Sequence, residues 1–137
     1  MKSYSKHLKS TQSFGESRNL KAKPVFRSSA VFPVMETQNI HTEITFLGYW
    51  LLKRKIEKVT VLITLRSQNG EILLRRSQLV DQVKSFVVRV GELLNSIDAA
   101  LPFEGSVELE VFSIVDMVFP YPAFVIQYKC DKGTTAV

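Results

Sequence analysis

The sequence predicts an all-β protein: an antiparallel β-sandwich or partly open barrel of roughly six to seven short strands with one short helical turn, preceded by a disordered basic N-terminal arm. Three observations carry that expectation. From Val25 onward, apolar residues recur mainly at every second position. Those positions are rich in β-branched side chains, which suit a pleated, half-buried surface. Turn-forming residues, Asn69-Gly70 foremost, divide the run into short pieces.

Residues 1–24 form the predicted flexible arm. They are rich in Ser, Lys, Thr, Gln and Asn, show neither a helical nor a strand period, and carry too few apolar groups to offset their ordering entropy. A single domain is expected over residues 25–130, with residues 131–137 as a short tail.

Within the domain, "VFRSSAVFPV" reads as a strand interrupted at Pro33, and "HTEITFLGYW" as a second strand. "GYWLLKRKIEKV" is ambiguous. Trp50, Leu51 and Ile56 would share a helical stripe and give a mixed α+β domain, but the stretch is short, lacks a cap and begins beside Gly48, so a helix is not expected. "VTVLITLRS" places Val59, Val61, Ile63 and Leu65 on one face. A two-residue turn at Asn69-Gly70 would then set Gln68 opposite Glu71 and Leu65 opposite Leu74.

"VKSFVVRV" follows, with Phe86, Val88 and Val90 on one side. "GELLNSIDAAL" breaks the alternation and predicts the helical turn, with Leu93, Leu94, Ile97 and Leu101 packing inward. "GSVELEVFS" sends Val107, Leu109 and Val111 inward and Glu108 and Glu110 outward. "PAFVIQYK" closes the set with Phe124, Ile126 and Tyr128 on one face.

The net charge of +5 is unevenly spread. Residues 1–27 hold seven basic groups and one acid, giving +6, while the remaining 110 residues hold eleven basic and twelve acidic groups, giving −1. The basic character thus belongs to the arm, which would bind anionic partners by counterion release or serve only as a solubilising tail. With one cysteine, Cys130, no intrachain disulfide forms, and its neighbours do not mark it as a reactive thiol. His7 and His41 are isolated, so no metal site and no cofactor is expected. No signal peptide and no membrane-spanning run is visible, which makes a reducing, cytoplasmic setting the expectation.

Three stretches offer surfaces. Phe119-Pro120-Tyr121-Pro122 holds an extended backbone; it is expected to be a stiff connector, with Tyr121 as the residue that would form an aromatic ledge for a sugar or peptide. Lys53, Arg54 and Lys55, with Lys58, follow Tyr49 and Trp50. Cations beside aromatic rings suit single-stranded nucleic acid, although Glu57 sits among them and a solvated turn is the plainer reading. Glu108 and Glu110 would offer two carboxylates to a glycosidase, but neighbours on one strand face do not flank a bond from two sides. They read as a solvated outer face.

Over roughly residues 30–130 the strand layout resembles small bacterial β-sandwich domains that serve as adaptors or accessory modules, without a motif that carries any site across. The expected function is therefore a non-catalytic recognition or assembly module for a protein or glycan partner, through an edge strand or the rim near Tyr49, Trp50 and Tyr121, with homo-oligomerisation as a corollary. The alternatives are nucleic-acid binding through the arm and the Lys53–Lys58 cluster, and a carbohydrate-active enzyme using Glu108 or Glu110.

Overall fold

The computed structural model describes residues 25–115, 117 and 124–136. The predicted arm and the Phe119-Pro120-Tyr121-Pro122 segment lie outside the described residues.

Among the described residues, eight strands and two short helices follow in the order β1 (Phe26–Glu36), β2 (Ile40–Leu47), α1 (Tyr49–Arg54), β3 (Val59–Ser67), β4 (Ile72–Val80), β5 (Ser85–Arg89), α2 (Val90–Asn95), β6 (Phe103–Ser113), β7 (Phe124–Cys130) and β8 (Gly133–Ala136). They form two antiparallel four-stranded sheets, ordered β1-β6-β3-β4 and β5-β2-β7-β8. The fold is the expected all-β sandwich. The eighth strand is β8, which pairs with β7 where the sequence suggests only a tail.

The alternation does what it predicts. Val59, Val61, Ile63, Leu65, Val107, Leu109 and Val111 are all completely buried. They meet Ile44, Phe46, Phe86, Val88 and Ile126 of the other sheet in one core. Each such side chain contributes about 1.5–3 kcal/mol on burial. Phe46 is the hub of an aromatic group, stacked on Phe86 at 5.2 Å and edge-on to Phe124 at 5.4 Å.

Four expectations need correction. Pro33 does not interrupt β1, which runs unbroken for 11 residues. β1 is an edge strand, and an edge tolerates a residue without an N–H. The hairpin loop has three residues, Gln68 to Gly70, since Ser67 N–H donates to Glu71 O at 2.9 Å and Gly70 N–H to Ser67 O at 2.9 Å. Gly70 takes φ +85°, the left-handed position such a loop requires. A bulge beside Leu65 and Arg66 then restores the expected Leu65–Leu74 pairing.

Residues 49–54 are helical after all. Trp50 and Ile56 are buried, and Ile56 N–H folds back onto the Trp50 carbonyl at 3.1 Å, so tertiary packing overrides the missing cap. Gly48 is required there, because a Cβ would collide with the Gln82 carbonyl. Finally, α2 buries Leu93 and Leu94 as predicted but ends at Asn95, leaving Leu101 49% exposed.

Candidate functional site

The strand topology sorts the connections onto two ends of the sandwich. Leu47 pairs with Ser85, Phe46 with Phe124, and Val59 with both Val80 and Ser113. The start of β1, α1, the β4–β5 connection (residues 81–84), the end of β6 and the start of β7 therefore share one end. Gly48 N–H donating to Lys84 O at 2.9 Å ties α1 to the β4–β5 connection. The hairpin turns and the segment from α2 to β6 share the other end.

This sorting partitions the charge. In the strands and α2, six basic groups balance six acids, giving 0. Connections at the α1 end (48–58, 81–84, 114–123) hold five basic groups and three acids, giving +2. The opposite connections (37–39, 68–71, 96–102, 131–132) hold one basic group and three acids, giving −2. Residues 1–25, which precede β1 in the sequence, hold six basic groups and one acid, giving +5.

On the sheet faces, Glu43, Glu108 and Glu110 are matched by cations, while the exposed Glu104 meets none among the described residues. Glu43 lies between Lys129 Nζ (2.5 Å) and Arg89 Nε (3.2 Å), and Arg89 also reaches Glu92 at 3.2 Å. The Lys129 hydrogen bond, aided by the charges of Lys129 and Arg89, holds the Glu43 carboxyl below its ordinary value and outweighs the opposing effect of burial. Across the other sheet, Arg27 bridges Glu108 (3.5 Å) and Glu110 (2.5 Å), and Arg66 holds Glu108 at 2.8 Å. Glu110 is 5% exposed, so the expected solvated outer face is instead a covered ion-pair cluster. One Glu110 oxygen is buried without a hydrogen-bond partner. Both carboxylates extend from β6 toward arginines, not across an open cleft.

At the α1 end the cations are unmatched. Lys53, Arg54 and Lys55 are exposed, and among the described residues none of them, nor Lys58 or Lys84, meets a carboxylate at ion-pair distance. The rings expected beside them are not open: Tyr49 is half-buried, and Trp50 is 1% exposed against Phe46, their ring centroids 6.5 Å apart. Trp50 thus belongs to the core rather than to an open rim. Tyr121, the remaining rim residue, lies outside the described residues.

The second open feature is β4. Among the described residues it is an edge strand bonded only to β3, nine residues long, free of proline and exposed along most of its length. Ile72, Leu73 and Leu79 are exposed, and neither Arg75 nor Arg76 has an ion-pair partner among the described residues. The other edges are less open: β1 carries Pro33, β5 has five residues and β8 four.

One constellation escapes sequence reasoning. Glu36, 4% exposed, stands 2.6 Å from His41 Nδ1 and accepts the Thr42 N–H at 3.0 Å. Thr37 Oγ1 makes the bend, accepting the N–H groups of Asn39 (3.1 Å) and Ile40 (2.9 Å). The signal was the turn-forming "TQN" between Glu36 and Ile40. The pair borders an open groove of about 360 Å³ that also includes Thr42, Arg89 and Asn95. A carboxylate that orients an imidazole suits proton transfer. Thr42 Oγ1, however, is engaged with the Met35 backbone, and among the described residues no other hydroxyl and no thiol lines the groove.

Among the described residues no three His, Cys, Asp or Glu side chains gather as a metal site, and no helix is long and apolar enough to cross a membrane. Comparison with known protein families, with curated proteins and with solved structures finds no match to this chain.

Proposed function

We propose that this chain is a non-catalytic recognition module that takes an extended, acidic segment of a partner protein onto the free edge of β4. The observation that carries the reading is the nine-residue, proline-free edge with two arginines that meet no carboxylate. An open edge offers main-chain donors and acceptors for strand addition, and alternate side chains give specificity. Arg75 lies on the outer parity opposite Thr64, and Arg76 on the inner parity opposite Ile63. A partner strand with two adjacent acids at its centre and apolar residues near Ile72 and Leu79 complements both faces.

Charge also argues against self-pairing here. A two-fold pairing centred on β4 sets Arg76 of one copy against Arg76 of the other, and like charges directly opposite destabilise a sheet. Of the rim rings that the structure describes, Trp50 is buried and Tyr49 half-buried, which favours a protein partner over a glycan. The test is NMR titration with extended peptides carrying a central Asp-Glu pair. Shifts confined to residues 72–80, abolished by the Arg75→Glu/Arg76→Glu double variant and regained by a Lys-Lys peptide, support the reading. Equal binding of the acidic peptide by that variant rejects it.

A further inference from the structure

We infer that the α1 end of the sandwich is a docking surface for an anionic membrane, lying on the lipid surface without crossing it. Twelve large apolar side chains are exposed among the described residues, and seven of them lie at this end, including Leu52, Val83, Ile114 and Val115, each about half exposed. These four come from three separate connections: α1, residues 81–84 and the start of the β6–β7 connection. The same connections, α1 with the residues that follow it foremost, carry Lys53, Arg54, Lys55 and Lys58, which meet no carboxylate among the described residues, and Lys84, whose ammonium lies 5.3 Å from the centre of the Phe86 ring. Apolar tips surrounded by flexible point charges match an interface in which aliphatic groups enter the headgroup region while lysines meet lipid phosphates.

Two other occupants fit less well. The chain's own residues 1–24 hold six basic groups and one acid, so their charge has the same sign as this end and does not complement it. Nucleic acid would use open rings for base stacking, and here Trp50 is buried and Tyr49 half-buried, while the exposed tips are aliphatic. β1 begins at this end, and the residues that precede it in the sequence, 1–24, carry charge of the same sign. Juxtamembrane basic groups act additively in this way within a Debye length of an anionic leaflet.

The experiment is vesicle co-sedimentation of the full chain with phosphatidylcholine alone and with a phosphatidylcholine–phosphatidylserine mixture. Binding is expected only to the mixture and is expected to weaken as salt rises. Lys53→Gln/Lys55→Gln is expected to weaken it roughly twentyfold. Leu52→Ser/Val83→Ser is expected to weaken it roughly tenfold, with circular dichroism unchanged. Lys132→Gln, at the opposite end, should leave it intact. Absence of serine-lipid-dependent binding overturns the inference. So does binding that the aliphatic substitutions leave unchanged while a single-stranded oligonucleotide competes fully, which is the outcome expected of a polyanion site. None of these readouts depends on β4, so this inference and strand addition can fail separately.

Discussion

Glu43 and Lys53 illustrate two ways of carrying charge on one small domain. Glu43 is pinned between Lys129 and Arg89 on the outer face of its sheet, whereas Lys53 projects from the last turn of α1 and meets no carboxylate among the described residues. The first arrangement exhausts its charge internally. The second leaves it available. A domain whose strands and α2 sum to zero, whose ends sum to +2 and −2, and whose basic leader joins at the positive end has its surplus where the sheets do not need it. Matched charge here is architecture, and unmatched charge on Lys53, Lys55, Arg75 and Arg76 is where partners are to be sought.

The contrast can be broken most forcefully from inside. Leu109→Ala removes a completely buried side chain from the central strand β6, and urea unfolding should show a loss of about 2–5 kcal/mol with little change in slope. Next comes the matched face. Arg27→Ala leaves the buried Glu110 carboxylate without its cation and should cost about 1–3 kcal/mol, part of which Arg27→Ala/Glu110→Gln recovers. If the single variant is as stable as the parent, the cluster on that face is incidental.

A smaller effect is expected at Glu43. Its folded carboxyl titrates below the ordinary value of 4.5, so the folded state favours the charged form. That stabilisation is therefore present above pH 4.5 and is lost as pH falls through the lower folded value. Glu43→Gln should cost about 0.5–1 kcal/mol at neutral pH, and the difference from the parent should shrink in acid. A gap that stays constant down to low pH would remove the ion pair from the account. Smallest of all, Lys53→Gln/Lys55→Gln should not measurably shift the unfolding midpoint, since the charges it removes have no partner in the fold. A clear destabilisation would show that these lysines are structural.

How much of this the sequence discloses depends on how local the cause is. The inward faces of "VTVLITLRS" and "GSVELEVFS" are read correctly because alternation is a local pattern enforced by one buried face, although β6 begins two residues earlier, at Phe103. Helix α1 was not expected because its stability comes from Trp50 and Ile56 packing into a core assembled from distant strands, which no window around residue 50 contains. The same blindness affects the sites. Lys53, Arg54 and Lys55 were visible as a cluster, but their lack of acidic partners is a tertiary property. Glu108 and Glu110 read as solvated because Arg27 and Arg66 reach them only through the pairing of β6 with β1 and β3. Glu36 and His41, five residues apart, meet only because the turn between β1 and β2 is tight.

The central claim is that β4 presents an unpaired edge while β6 and β3, inside the same sheet, do not. Amide hydrogen exchange followed by NMR tests it residue by residue. Alternate amides of residues 72–80 should exchange rapidly, their intervening neighbours bonded to β3 should be protected, and β3 and β6 should be protected throughout; an acidic peptide should then slow the rapid set. Uniform protection along β4 in the isolated protein, at any concentration, would contradict the claim.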